Sequence, residues 1–236
     1  VAGFFNGLPK FHRGALAIFL ITAAATGIVG DQPLGDALRL HPGALLSGAG
    51  IWQPLTANFI FPADSVGFLI GTLFVQWFFG SSLEEFWGTR KYVVLIVGCG
   101  TAGYLVHALL SPLLPPVVGC GSTGMDVATL TAFGLVFRKR MLAVMGVMPV
   151  KASTLVLILV PAIVLSPLLR GAPWPLAIAP VVAIAGAWLA TAQPWRRGAG
   201  GSGGSGGGPT RTPARKPKTN RAKPSHLRVV KDDLPN

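Results

Sequence analysis

Two hydroxyls, an imidazole and a carboxyl group are the side chains best suited to chemistry in this 236-residue chain: Ser122, Thr123, His107 and Asp126. His107 falls near the end of an apolar run over roughly 92–110, and the other three fall at the start of the next run, roughly 121–137. If the two runs are antiparallel neighbours, all four lie at similar depth. A hydroxyl needs an adjacent base to become a useful nucleophile, so Ser122/His107/Asp126 is a sterically conceivable set for nucleophilic catalysis. The plainer expectation is structural. Asp126 sits where a helix starts and a carboxylate is favourable, or pairs with His107 so that each satisfies the other. An Asp inside an apolar run is costly and a functional candidate by default. Cys99 and Cys120 are too few for a disulfide framework, and no Cys/His cluster has zinc spacing, so neither metal nor cofactor is expected.

The elements that must position these groups follow from composition. The chain is 51% hydrophobic and 12% charged, with mean hydropathy +0.58. Soluble domains carry about 25% charged residues, so an ordinary soluble protein is excluded and several membrane helices are expected. Six apolar segments stand out, over roughly 14–30, 66–79, 92–110, 121–137, 150–169 and 173–193. A lipid-facing span needs about 17–25 apolar residues, which makes the second and fourth short and points to interior helices. Gly98, Gly100 and Gly103 are small positions that would let helices approach closely.

The net charge of +12 reads as membrane topology rather than nucleic-acid binding. Half of the Lys and Arg residues follow Pro194, and most others lie in short loops. Lys10, Arg13, Arg90, Lys91, Arg138, Lys139, Arg140, Lys151, Arg196 and Arg197 fall on one side if six helices alternate. The positive-inside rule then sets both termini in the cytoplasm. Composition and charge bias fit a bacterial inner membrane, although other membranes share them. The connection over 31–65 is long, Pro-rich and apolar, with Ile51, Trp52, Leu55 and Phe59, and is expected to pack at the membrane interface on the other side. The expected organisation is a flank over 1–13, a six-helix membrane domain over 14–193, and a Gly-rich linker with a basic, disordered tail over 194–236, drawn to anionic lipid. The chain begins with Val1, so its true start is expected upstream.

Three local patterns, in order, resemble the rhomboid superfamily. Phe79-Gly80, then Glu84 and Gly88 with Arg90-Lys91 following, is similar to the end of that family's second core helix. Trp52-Gln53-Pro54-Leu55-Thr56 looks like the end of its first external loop, and Gly121-Ser122-Thr123-Gly124 like the Gly-x-Ser-Gly that opens its fourth helix. The resemblance implies an all-α, six-transmembrane-helix bundle with a long first external loop. It also implies a serine nucleophile and a sixth-helix histidine, which are not matched here. Aligning Gly124 with the motif's last glycine puts Thr123 at the nucleophile position, and matching Gly186 puts Ala179 near the histidine position. The family's second-helix His and Asn fall near Phe68 and Thr72, and its loop His near Phe61. General-base help contributes about 10²–10⁴-fold and each oxyanion donor about 10²–10³-fold.

The expected function is therefore that of a catalytically inactive relative, like Derlins and inactive rhomboids, which bind membrane-protein clients. Phe61, Phe68, Thr72, Ser122, Thr123 and Asp126 are expected to line the client cleft. The alternative is an active intramembrane serine-type endopeptidase that acts on transmembrane substrates with Ser122 or Thr123 and His107. A transporter would want a polar route onward from Asp126 and His107, and the last two segments offer no charged partner for one.

Overall fold

The structure is a computed structural model and describes residues 11–61, 66–144 and 148–192. Contacts divide the chain into two units, Val1–Pro194 and Trp195–Asn236. The second unit, and with it the linker and disordered tail expected over 194–236, lies outside the described residues, as does most of the expected flank over 1–13.

In lipid, a helix is the single-segment structure that pairs all its own backbone groups, and each of the six apolar runs is helical. They form α1 (Arg13–Val29), a second helix described below, α7 (Thr89–Leu110), α8 (Thr123–Val136), α9 (Ala152–Leu169) and α10 (Ile178–Ala192). Three stretches are long and apolar enough to cross a membrane: Thr89–Leu113, Ala152–Leu169 and Trp174–Ala192; α1 and α8 are shorter apolar helices. The connection between α1 and the second run folds into α2 (Pro33–Leu38), α3 (Pro42–Leu46), α4 (Gln53–Thr56) and a 3₁₀ turn, Ala57–Phe59. Each of the three short helices has a proline at its first or second position, where the missing N–H costs nothing.

The second apolar run is one continuous helix with a defect. α5 (Val66–Phe74) widens into a π turn, Val75–Gly80, and resumes as α6 (Ser81–Trp87). Gly88, at φ +81°, ends it, in a conformation that favours glycine. Between α8 and α9 the chain makes a short antiparallel hairpin, β1 (Met141–Val144) and β2 (Met148–Lys151), with Met141 opposite Lys151 and Val144 opposite Met148. That hairpin is a local departure from the all-helical expectation.

α8 forms the centre. Its fourteen residues reach about 21 Å at 1.5 Å each, short of the roughly 30 Å hydrocarbon core. Met125, Val127, Ala128, Leu130, Ala132 and Phe133 on it are all buried, with α7, α9 and α10 packed around. α9 buries only Ala152 and contains Pro161 and Pro167, so most of its apolar surface faces outward. Small residues set the close approaches. A Cβ on Gly100 would strike Asn58 Oδ1 and come within 2.8 Å of Met125 Cγ, and one on Gly103 would strike the Ala179 carbonyl. Gly98, expected to serve the same purpose, faces open space: a Cβ there would meet nothing within 4 Å.

Candidate functional site

The loop end of the bundle is built to hold the start of α8 in place. Gly121 has φ +103°, and a Cβ there would lie 2.6 Å from the Phe61 ring. Its N–H donates to Ala57 O at 2.8 Å and its carbonyl accepts from the Tyr104 hydroxyl at 2.8 Å. Nearby, Leu40 and Gly119 exchange backbone hydrogen bonds of 2.9 and 3.0 Å. The Trp52-to-Thr56 pattern supplies the staples. Gln53 Oε1 accepts from His41 N–H at 3.0 Å, and Thr56 Oγ1 donates to Leu38 O at 2.8 Å.

This frame opens onto a cavity of about 290 Å³, lined by Phe61 and Phe68, by Tyr104 and His107 of α7, by Thr123 and Gly124 of α8, by Val164, Pro167 and Leu168 of α9, and by Ala179 and Pro180. Thr123 and Ala179, the positions matched to nucleophile and histidine, thus face one space from α8 and α10. His107 faces it from α7. The His107 ring lies against the carbonyls of Val117 and Pro175, and its Nδ1 has no hydrogen-bond partner among the described residues.

Ser122, Thr72 and Asp126 belong to a different arrangement. Asp126 is 6% exposed and Ser122 and Thr72 are buried. The Asp126 carboxyl accepts hydrogen bonds from Thr72 Oγ1 (2.7 Å), Ser122 Oγ (2.9 Å) and Gln76 Nε2 (3.2 Å), while the two hydroxyls stand 2.7 Å apart. Gln76 Oε1 in turn accepts from the Tyr92 hydroxyl. No cation lies within 4.0 Å of Asp126 among the described residues, so these donors alone satisfy it, as a buried polar group requires. The network joins α5 and the π turn to α7 and α8.

The expected set of Ser122, His107 and Asp126 is therefore divided. Ser122 and Asp126 are bonded to each other, and His107 lies on the cavity with Thr123. Of the expected cleft residues, Phe61, Phe68 and Thr123 line the cavity, whereas Thr72, Ser122 and Asp126 form the buried network. Asp126 pairs with Thr72, Ser122 and Gln76, not with His107. Gln76 and Tyr92 escaped the sequence reading. The available signal was Gln76 as a polar residue four positions after Thr72 in an apolar run, which puts both on one helix face.

At the opposite end, Glu84 is 3% exposed and accepts from the backbone N–H groups of Gly14 and Ala15, both at 2.8 Å, and from Thr89 Oγ1 at 2.6 Å. It thereby fastens the positive end of α1 to the α6–α7 turn. Its partners are N–H and hydroxyl groups.

Comparison with curated proteins finds no match. A family model, the Rhomboid domain, matches residues 49–195, more than half of the chain. The match takes in Trp52-to-Thr56, the Gly80-to-Gly88 turn, the α8 start and both Thr123 and Ala179. With this helical bundle and its membrane-length helices, the chain belongs to the rhomboid family and is an integral membrane protein.

Proposed function

We propose that this rhomboid is a pseudoprotease, which holds segments of membrane-protein clients at the 290 Å³ cavity without cutting them. One observation carries the reading. Across the cavity from Thr123, α10 offers the methyl group of Ala179, and the neighbouring Ser122 hydroxyl is turned to Asp126 and Thr72. A hydroxyl without a base loses the general-base contribution of about 10²–10⁴-fold. Asp126, which could orient a base, is turned instead to the Thr72 and Ser122 hydroxyls and the Gln76 amide. The apolar lining suits a client side chain, and the short α8 favours a locally thinned bilayer in which a poorly apolar client helix finds polar partners. The charge bias favours a bacterial inner membrane with both termini in the cytoplasm.

A second reading rests on its own observation. His107 and Thr123 line the same cavity, and His107 Nδ1 is unpartnered among the described residues. That favours an endopeptidase with a divergent Thr123/His107 pair. Purified protein incubated with fluorogenic transmembrane substrates separates the two. We expect no turnover from the parent chain, Ser122→Ala, Thr123→Ala or His107→Ala, beside an active rhomboid that cleaves. Photo-crosslinkers at Phe68 and Leu168 should still capture client helices. Turnover that vanishes in Thr123→Ala and His107→Ala would overturn the pseudoprotease reading.

A further inference from the structure

We propose that the cleft at the junction of α6 and α7 is a binding site for one anionic phospholipid, its headgroup phosphate held by Arg90 and Lys91 and one acyl chain lying along α7. The cleft has a volume of about 570 Å³ and is lined by Trp87, Gly88, Thr89, Arg90, Lys91 and Val94. It lies at the other end of α7 from the client cavity.

Three observations carry the assignment. The first is uncompensated charge. Among the described residues neither Arg90 nor Lys91 has a carboxylate within 4.0 Å. The buried Glu84 is engaged by Gly14, Ala15 and Thr89, and the exposed Glu85 at the end of α6 makes no ion pair within 4.0 Å of either cation, so both are open to an external anion. The second is placement. The Lys91 ammonium stands 5.3 Å from the centre of the Trp87 ring, a cation–π contact that restrains a long side chain at the cleft. Trp at this level is also what the headgroup region favours.

The third is the surface below. Lys91, Val94, Gly98, Ala102 and Leu105 are exposed and recur at the spacing of one helix face. Val94 is 67% exposed and Leu105 42%. Between them Gly98 opens onto empty space, which leaves a shallow trough. Lys91 to Ala102 spans about 16 Å along the helix, close to half of the roughly 30 Å hydrocarbon thickness. The trough therefore runs the depth of one leaflet beneath Lys91, with Arg90 at its flank. A second copy packed through Gly98 would also use the trough, but it would leave Arg90 and Lys91 facing like charges. Charge complementarity favours the lipid, and basic residues at the membrane surface attract anionic lipid by about 1 kcal/mol each.

The test is native mass spectrometry of the delipidated full chain in detergent, titrated with phosphatidylglycerol or with phosphatidylcholine of the same acyl chains. We expect phosphatidylglycerol to bind at least tenfold more tightly. Arg90→Gln with Lys91→Gln should lower that preference severalfold, to the part that the basic tail contributes, and Arg90→Lys should restore most of the loss. Gly98→Leu, at an exposed position, should weaken phosphatidylglycerol severalfold, and glycerol 3-phosphate should compete poorly. Equal affinity for the two lipids would overturn the assignment, as would a preference that the double variant leaves unchanged and that therefore belongs to other basic residues. So would dimers that Gly98→Leu dissociates with no change in lipid affinity. Circular dichroism of each variant verifies that the fold is intact.

Discussion

Asp126 has the most consequential chemistry of any single residue in the bundle. Its carboxyl is buried, has no cation beside it among the described residues, and answers three donors. Asp126→Ala strands those donors, at about 1–3 kcal/mol for each that finds no new partner, and should lower stability by several kcal/mol. Asp126→Asn keeps an acceptor for Gln76, and the Thr72 and Ser122 hydroxyls can rotate to receive its N–H group, so about 1 kcal/mol is expected. Ser122→Ala removes one donor of three and should also cost about 1 kcal/mol. Thermal unfolding in detergent ranks the series. A Ser122→Ala loss as large as that of Asp126→Ala would show that Ser122 has a partner beyond this network. Asp126, Ser122 and Thr72 were visible in the sequence as polar residues in apolar runs. That Asp126 would choose Thr72 and Gln76 over His107 was not visible, because the choice is made across some fifty residues of chain by how the π turn rotates its side chains.

At the scale of helices, hydropathy located all six apolar runs, since in lipid a long apolar segment has few alternatives to a helix. The second helix, however, is not short as expected: it runs on through the π turn to Trp87, well past Phe79, because its last residues are largely polar and escape a hydropathy reading. Hydropathy does not report which face of a helix meets another. The three glycines of α7 make the point: Gly100 and Gly103 are sites of contact, and Gly98 looks outward. Gly103→Ala should therefore destabilise strongly, since its Cβ would meet the Ala179 backbone, which cannot yield as a side-chain end does. Gly98→Ala should be neutral or stabilising by about 0.5–1 kcal/mol, the helix preference of Ala over Gly. Denaturation in detergent checks both, and a comparable loss from each would mean that Gly98 is covered in the assembled protein. The hairpin was hidden for a related reason. Met141–Lys151 is mostly Met, Val, Leu and Ala, and a short apolar stretch of that kind has no period that separates strand from helix. Glu84 was visible in the sequence as part of the Gly80-to-Gly88 pattern, but its partner, the first turn of α1 some seventy residues earlier, was not. Glu84→Ala should release that turn, with a loss of about 2 kcal/mol or more from three unmet donors.

The whole molecule sorts its charge by end. Glu84 ties the start of α1 to the α6–α7 turn, which gathers Arg13, Arg90 and Lys91. The Phe86 and Phe137 rings meet with centroids 5.8 Å apart, and Arg140 stands over Phe137, which brings Arg138, Lys139, Arg140 and the hairpin to the same end. The other end holds the α2–α4 loop and the cavity, with Arg170 over Phe68 and with Asp31, Asp36 and Arg39 in the stretch that leads into that loop. Basic residues within loops and near helix ends stay in the cytoplasm, so the α6–α7 turn and the hairpin are expected there and the cavity is expected to face the opposite compartment. α10 begins beside the cavity, at Ala179 and Pro180, and runs fifteen residues to Ala192, so a cytoplasmic C-terminus is the expected outcome of the same rule. Fusions report this directly. Alkaline phosphatase should be active when joined within the α2–α4 loop at Ser47 and inactive when joined after Lys139 or at the C-terminus, with green fluorescent protein giving the reverse pattern. Active phosphatase at both Ser47 and the C-terminus would mean an even number of crossings between them, and one of the five apolar helical runs after Ser47, of which α8 is the shortest, would then turn back without spanning. Replacing Arg138, Lys139 and Arg140 by Gln should weaken the bias and give mixed activity at both sites, because the orientation then rests on Arg13, Arg90 and Lys91.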